Sequence, residues 1–384
     1  MKINITVFLF VVCYFLTSNW TISDYFVTPS IKNIALGFIL LTILFIRIYR
    51  RKMNFNYLAF IFSVIGIISV FANSLTYMSL LFQCVFMFVF SFYLFNKLEI
   101  IKVIKTINIV TYLFLFITVI QIVIIYFNQD LLIYSKPVTS SGLLLNESAR
   151  IEHWIQLLGN MTNERYDFLG RTIPRFSGFL TEPSSVPNLI FLPKILEIIY
   201  KKKISFFDLL FFLVSLLIYR SGFVSIYLFY VILILFISNF KNLYTKIIPL
   251  SIVPIAVFIF LFLADLAVQF LELSQVYEVY SLTNKTNTLT TRVIGVNEMI
   301  SNISLFGNHS TQLYGVGWLL HYSILYGIFG GIFVLFFTIN IFLKKYYFIF
   351  YLLIFALLFL AKGFSAVFIL MILISYVQKS SFSN

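Results

Sequence analysis

Long uninterrupted apolar runs, separated by short basic loops, restrict what this chain of 384 residues can fold into. Hydrophobic residues make up 61% of the chain and charged residues 11%, whereas a soluble globular protein has about 25% charged residues. A helix needs about 20 mostly apolar residues to cross a bilayer, so the apolar content allows roughly 12 spans. The runs do not alternate as the strands of an outer-membrane barrel do. We therefore predict an all-α polytopic membrane protein, and exclude soluble enzymes, secreted disulfide scaffolds and disordered proteins.

The apolar runs mark the predicted spans, which lie at 4–20, 31–47, 57–73, 75–95, 107–127, 186–200, 204–219, 221–238, 247–267, 315–342, 346–361 and 364–377. Basic residues in short loops test the number of spans, because such residues stay on the cytoplasmic side of a membrane. With the N-terminus inside, about twelve spans put every basic cluster of a short loop on that side. These clusters lie at 47–52, 97–105, 201–203, 241–246, 344–345 and 379. The net charge of +13 therefore indicates topology and no nucleic-acid partner, and both termini are predicted to be cytoplasmic.

Two long segments, residues 128–185 and 268–314, fall on the outer side in this topology, within a single integral membrane domain that covers 1–384. Loops of about 58 and 47 residues far exceed ordinary connections, which predicts that they are functional. Each contains apolar residues at helical spacing, which predicts a helix packed on the membrane surface or on other spans. The first stripe is Ile151, Trp154, Ile155 and Leu158, and the second is Val293, Val296, Ile300 and Ile303.

Several familiar chemical signatures are absent from the sequence. It contains no Gly-rich phosphate loop, no Cys/His metal spacing and no external Asp-x-Asp pair that would hold a divalent ion. It also lacks the Gly-x-Ser-x-Gly turn of many hydrolases. These absences argue against an ATP-driven pump or a membrane-anchored hydrolase, and we predict neither a metal nor a cofactor.

Polar residues cluster instead at the outer ends of three predicted spans. The first cluster is Arg175-Phe-Ser-Gly-Phe-Leu-Thr-Glu-Pro-Ser, which ends at Ser184, and the second is the turn from Tyr219 to Gly222. Glu182 followed by proline is also a good helix start, because the acid favours the positive end of the helix dipole. Arg220 either faces a partner or extends its side chain to the membrane interface.

The third cluster runs from Arg292 to Gly331 and is rich in glycine. It contains Leu305-Phe-Gly, then Gly315-Val-Gly, then His321, and Gly327-Ile-Phe-Gly at the entry to a late span. A single histidine near a membrane boundary is either a hydrogen-bonded packing residue or a catalytic base.

Taken together, these motifs resemble those of the Wzy-type O-antigen and capsule polymerases of bacteria. The segment that starts at Arg175 is similar to their Arg-Phe-Ser-Gly-Phe-x-x-Glu-Pro-Ser hallmark. The Arg220 turn is similar to their Ser-Arg-Ser/Thr-Gly turn, with Tyr219 in place of the first serine. The region from Leu305 to Gly330 resembles their glycine-rich span entry, although the spacing of its glycines is stretched here.

The resemblance implies a GT-C-like membrane glycosyltransferase in the bacterial cytoplasmic membrane. Such an enzyme joins undecaprenyl-diphosphate-linked oligosaccharide repeat units, with a chain-length regulator protein as a further partner. Arginine forks match phosphate oxygens, so Arg175, Arg220 and Arg292 are the candidates for holding the diphosphate. Glu182 and His321 are the candidate bases for the acceptor hydroxyl, and His321 is favoured because imidazole titrates near neutral pH.

Two other functions stay open. O-antigen ligases share the late glycine-rich region, so a ligase that transfers the glycan to a lipid acceptor is one alternative. A lipid-linked oligosaccharide flippase has a similar number of spans, but transporters are expected to carry ionisable or broken positions in matched halves. The only intramembrane charged pair is Lys194 and Glu197, whose spacing predicts contact on one helix face.

Overall fold

The computed structural model describes residues 5–17, 29–49, 55–72, 81, 84, 85, 88, 97–128, 136–139, 152–156, 159–168, 170–178, 190–201, 204–219, 304–307, 326–343 and 371–376. The chain divides into two compact units. The first comprises Met1–Met53, Phe95–Val231 and Gln378–Asn384, and the second comprises Asn54–Leu94 and Ile232–Val377.

Helices form most of the described part of the chain. They are α1 (Ile5–Thr17), α2 (Pro29–Tyr49), α3 (Tyr57–Ala72), α4 (Lys97–Phe127), α5 (Leu192–Lys201), α6 (Phe206–Tyr219) and α7 (Gly327–Leu343), and residues 371–376 are also helical. Each of these helices overlaps a predicted apolar run, which confirms their helical structure. The runs at 75–95, 221–238, 247–267, 346–361 and 364–377 lie wholly or largely outside the described residues.

Helix α4 is the described helix that is long and apolar enough to cross a membrane. Its apolar part, Glu99–Phe127, has 29 residues and is about 44 Å long, more than the hydrocarbon core of about 30 Å. The helix already begins at Lys97, so the predicted basic loop at 97–105 is helical. Lysine and glutamate favour helix, and this segment continues directly into the apolar run.

The exposed face of α4 is far more apolar than the exposed face of a helix in a soluble protein. Its exposed face is an apolar stripe formed by Ile109, Leu113, Phe116, Ile120, Val123 and Phe127. Its buried face carries the polar residues Asn108, Thr111, Thr118 and Gln121. Thr111 and Thr118 each donate a hydrogen bond of 2.8 Å to the carbonyl four residues earlier, so burial leaves neither hydroxyl without a partner. An exposed apolar face, with buried threonines that bond to their own helix, is typical of a helix that faces lipid.

A four-stranded antiparallel sheet follows α4 in the chain and was not part of the predicted all-α fold. Its strands, β1 (Lys136–Thr139), β2 (Glu152–Gln156), β3 (Gly159–Phe168) and β4 (Arg171–Gly178), pair in sequence order. A turn with Gly170 at φ +79° connects β3 to β4. This backbone conformation strains residues that have a Cβ, so glycine suits the position.

The prediction of an amphipathic helix around Ile151–Leu158 is wrong, because this segment contains strand β2. Trp154 lies opposite Pro137 of β1 and opposite Met161 of β3. Tryptophan and isoleucine favour strands, and two residues separate β2 from β3, the connection length favoured for a hairpin. The second predicted stripe, 293–303, lies outside the described residues.

The sheet is attached to the C-terminal end of α4. Arg171 Nη1 donates a hydrogen bond of 2.7 Å to the carbonyl oxygen of Tyr126, and its guanidinium carbon lies 5.1 Å from the centre of that tyrosine ring. Strand β4 also contacts α4 and α6, and its Ile173 and Phe176 are fully buried. The sheet is therefore held at the end of α4 that is remote from Lys97.

In the second unit, α3 and α7 run antiparallel. Near one end of the pair, Asn340 lies within hydrogen-bond distance of Tyr57. In the middle, the rings of Phe62 and Phe333 are 5.1 Å apart. At the other end, Ser69 of α3 donates a hydrogen bond to the carbonyl of Phe306, which fixes residues 304–307 near the start of α7.

We predict that Gly327→Ala destabilises the second unit. Gly327 has φ +70°, and an added Cβ would collide with the carbonyl oxygen of Leu305. Backbone strain and this clash together should lower the free energy of unfolding by about 1–3 kcal/mol. The matched control is Gly37→Ala in α2, where an added Cβ meets nothing within 4 Å and should leave the melting temperature unchanged or raise it. Equal melting temperatures of both variants in detergent would contradict the prediction.

Candidate functional site

Only one of the predicted site residues lies within the described part of the chain. Arg175 lies in β4, opposite Thr162 of β3 and three residues before the strand ends at Gly178. The other predicted site residues, Glu182, Arg220, Arg292 and His321, lie outside the described residues. Their predicted roles at the diphosphate and at the acceptor hydroxyl stay predictions.

The two ends of the glycine-rich segment that contains His321 are neighbours in space. Ile328 N donates a hydrogen bond of 3.1 Å to the carbonyl of Ser304. The backbone of Leu305 and Gly307 lies directly against Gly327, and both glycines have positive φ, at 88° and 70°. Close approach of two backbones and positive φ both favour glycine. These two glycines therefore hold residues 304–307 against the start of α7.

The most concentrated chemistry among the described residues is a buried charge cluster in the first unit. It contains Lys194, Glu197, Lys201 and Asp208, and the side chains of Lys194 and Asp208 are each 2% exposed. The Lys194 Nζ to Glu197 Oε2 distance is 3.2 Å, which confirms the contact predicted from their spacing. Lys194 Nζ lies closer to Asp208 Oδ1, at 2.5 Å. The strongest contact of this lysine therefore joins α5 to α6.

Asp208 also stabilises the start of α6. Its Oδ2 accepts hydrogen bonds from Ser205 N at 2.8 Å and from Ser205 Oγ at 2.7 Å. Asp208 N in turn lies 3.3 Å from Ser205 Oγ. This reciprocal arrangement is a capping box, which satisfies backbone donors at a helix start. The Ser-x-x-Asp spacing at 205–208 is the sequence signal for this role of Asp208.

Glu197 connects α5 to α4. Its Oε2 accepts a hydrogen bond of 2.6 Å from Asn108 Nδ2, and its Oε1 lies 2.6 Å from Lys201 Nζ. Asn108 is on the buried polar face of α4. Each carboxylate of the cluster thus has a cation and further hydrogen-bond donors, as charges removed from water require.

Aromatic rings complete the surroundings of Lys194. Its Nζ lies 4.9 Å from the centre of the Tyr112 ring and 5.5 Å from the centre of the Phe211 ring. Ring faces attract an ammonium group, and the attraction grows when water is excluded. The Tyr112 hydroxyl reaches the carbonyl of Phe207 at 3.3 Å, so the same ring also joins α4 to α6.

The cluster holds three helices together and balances its own charge, with two lysines against two carboxylates. Among the residues that the structure describes, no three His, Cys, Asp or Glu side chains lie close enough to hold a metal ion.

No protein family, curated protein or solved structure was found to match the chain.

We predict that Lys194→Met destabilises the first unit by about 3–5 kcal/mol, because it leaves the buried Asp208 carboxylate without its cation. Lys201→Met should cost less, since the Lys201 side chain is 35% exposed and Glu197 retains Lys194 and Asn108. The double variant Lys194→Met/Asp208→Asn should regain most of the lost stability, because no charge is left uncompensated. Melting temperatures in detergent check this series. Equal losses in both single variants would show that Lys194 is not the central cation.

Proposed function

We propose that this chain is a membrane glycosyltransferase that joins undecaprenyl-diphosphate-linked oligosaccharide repeat units into O-antigen or capsular polysaccharide. The proposal rests on the resemblance of its short motifs to those of the Wzy-type polymerases. Within it, the chain has about twelve membrane spans, a GT-C-like architecture and its reaction site at the outer face of the bacterial cytoplasmic membrane. The segments 128–185 and 268–314 form the outer loops.

The observation that carries the proposal is the attachment of strand β4 to the end of α4. The strand contains the Arg175-Phe-Ser-Gly motif and is joined to Tyr126 through Arg171. The exposed apolar stripe of α4 runs from Ile109 to Phe127, about 27 Å along the helix and close to the thickness of the hydrocarbon core. The motif therefore belongs to a sheet fixed where this stripe ends, the level at which a lipid diphosphate would lie.

The basic turn lies toward the other end of the same helix, which supports the proposed sidedness. Lys201 contacts Glu197, and Glu197 contacts Asn108 near the start of the apolar stripe. The sheet contacts Tyr126 near the other end of that stripe. If α4 crosses the membrane, the predicted cytoplasmic cluster 201–203 and the sheet lie on opposite sides, as the distribution of basic loops requires.

The reaction needs charge stabilisation on the leaving group and a proton acceptor for the attacking group. A sugar hydroxyl of one lipid-linked unit forms a new glycosidic bond at the anomeric carbon of the growing glycan. The bond from that carbon to the diphosphate breaks, and undecaprenyl diphosphate leaves with the bonding electrons. Arg175, Arg220 and Arg292 stabilise the developing negative charge, and His321 or Glu182 accepts the hydroxyl proton. Arginines supply the positive charge in this scheme, so it needs no metal.

We predict that Ser140→Cys is labelled by a membrane-impermeant thiol reagent added outside intact cells, whereas Lys202→Cys is not. Ser140 follows β1 in the proposed outer loop, and Lys202 lies in the proposed cytoplasmic cluster. The native thiols Cys13 and Cys84 are buried, so they should contribute little background. Permeabilised cells provide the control for reactivity at position 202. Labelling of Lys202→Cys alone in intact cells would reverse the topology.

We predict that Arg175→Lys lowers polymerisation by about 10²–10³-fold, because lysine keeps the charge but loses the planar fork that binds two phosphate oxygens. Arg165→Lys is the matched control, since Arg165 lies opposite Pro174 on the adjacent strand and outside the polymerase-like motif. Each variant is expressed in cells from which the gene has been deleted, and surface glycans are separated on a gel. Arg175→Lys should leave a single repeat on its anchor, whereas Arg165→Lys should give the full ladder. A full ladder from Arg175→Lys would remove Arg175 from the site.

The same gel separates the polymerase from the two other functions. Long lipid-linked chains that are never transferred to the anchor would indicate a ligase. Complete loss of outward-facing repeats, with units retained on the cytoplasmic side, would indicate a flippase. The buried cluster of Lys194, Glu197 and Asp208 is the observation that favours a flippase, because ionisable groups inside a helical bundle often mark a transport path. These groups are paired with one another, however, and the sequence has no matched second half.

A further inference from the structure

A cleft of about 540 Å³ opens beside the buried charge cluster and has its own cationic rim. Its charged lining consists of Lys105, Lys194, Lys201, Glu197 and Asp208, which is an excess of one positive charge. The two carboxylates pair with Lys194 and Lys201. Lys105 is exposed and makes no ion pair with any side chain that the structure describes. The excess charge of the cleft is therefore an accessible ammonium group.

Apolar side chains border the cleft next to this ammonium group. Ile109 lies one helical turn after Lys105 on the same face of α4 and is 62% exposed, and Phe207 at the start of α6 is 69% exposed. Four residues, about 6 Å of helix, separate Lys105 from Ile109, the first residue of the exposed apolar stripe of α4. This change from charge to apolar surface is what a helix shows at the boundary between lipid headgroups and acyl chains.

We propose that this cleft binds the headgroup of an anionic phospholipid from the cytoplasmic leaflet. Lys105 receives the phosphate, while Ile109 and Phe207 contact the first carbons of the acyl chains. The cleft volume falls within the range of about 300–1,000 Å³ found for small-ligand sites. Two further lysines, Lys202 and Lys203, follow Lys201 in the sequence and belong to the basic cluster that is predicted to be cytoplasmic.

A phospholipid fits this cleft better than a free anion does. A phosphate ion would use the ammonium group of Lys105 but would leave the adjoining exposed apolar surface uncovered. A zwitterionic lipid would cover that surface but would place its own cation near an excess positive charge. An anionic lipid matches both features, and its binding does not depend on whether the chain is a polymerase.

Native mass spectrometry of the purified full-length protein in detergent tests this proposal. The probes are phosphatidylglycerol, phosphatidylcholine and inorganic phosphate. The protein should retain phosphatidylglycerol in preference to phosphatidylcholine, and Lys105→Gln should weaken phosphatidylglycerol binding by about five-fold, the effect of one lysine near an anionic lipid surface. Lys102→Gln is the matched control, because Lys102 is an exposed lysine on the same helix that does not line the cleft. It should retain phosphatidylglycerol nearly as well as the unchanged protein.

Three results would overturn the proposal. Equal retention of the two lipids by the unchanged protein would show that the cleft does not select an anionic headgroup. Equal loss in Lys102→Gln and Lys105→Gln would show a general charge effect. Displacement of the lipid by excess inorganic phosphate would identify an anion site that needs no lipid. Size-exclusion chromatography checks folding, because folded variants should elute at the same volume as the unchanged protein. The lipid preference of the unchanged protein tests the proposal without any substitution.

Discussion

The contact between the Lys194 ammonium group and the Asp208 carboxylate determines how the helices of the first unit are arranged. Both groups are removed from solvent, and each is costly to bury alone, so α5 and α6 must present them to each other. Glu197 extends the same network to Asn108, which fixes the rotation of α4 about its axis. Once that rotation is set, the apolar stripe of α4 faces outward and its threonines face inward. A small number of charged and polar side chains thus specifies which surface of these three apolar helices is exposed.

Helix α4 then sets the distance between two chemically different parts of the first unit, the cleft and the sheet. Near one end of the apolar stripe lies a cleft with Lys105, which forms no ion pair among the described side chains, and near the other end lies a sheet held by Arg171 on Tyr126. One continuous helix, Lys97–Phe127, spans this distance with its backbone hydrogen bonds made internally. Groups with different chemistry are therefore held at the two ends of one helix without direct contact between them.

Sequence reasoning located what depends on local composition and missed what depends on pairing across the chain. The helices α1 to α7 could be predicted, because each coincides with an apolar run. The contact of Lys194 with Glu197 was also predictable, because three residues separate them on one helix. The strand at Trp154 was not, because its apolar residues have helical spacing and its partners come from distant β1 and from β3. The partnership of Lys194 with Asp208 was missed for the same reason, since nothing local to either residue indicates that two helices bring them together.

The approach of Leu305 and Gly307 to Gly327 has a consequence for how chains of this kind can diversify. Residues 304–307 meet the start of α7 at a single point, where the backbone of Gly307 lies against Gly327. The entropy cost of joining two points of a chain rises only slowly with the number of residues between them. The number of residues between Gly307 and Gly327 can therefore change at little cost, provided that both glycines are kept.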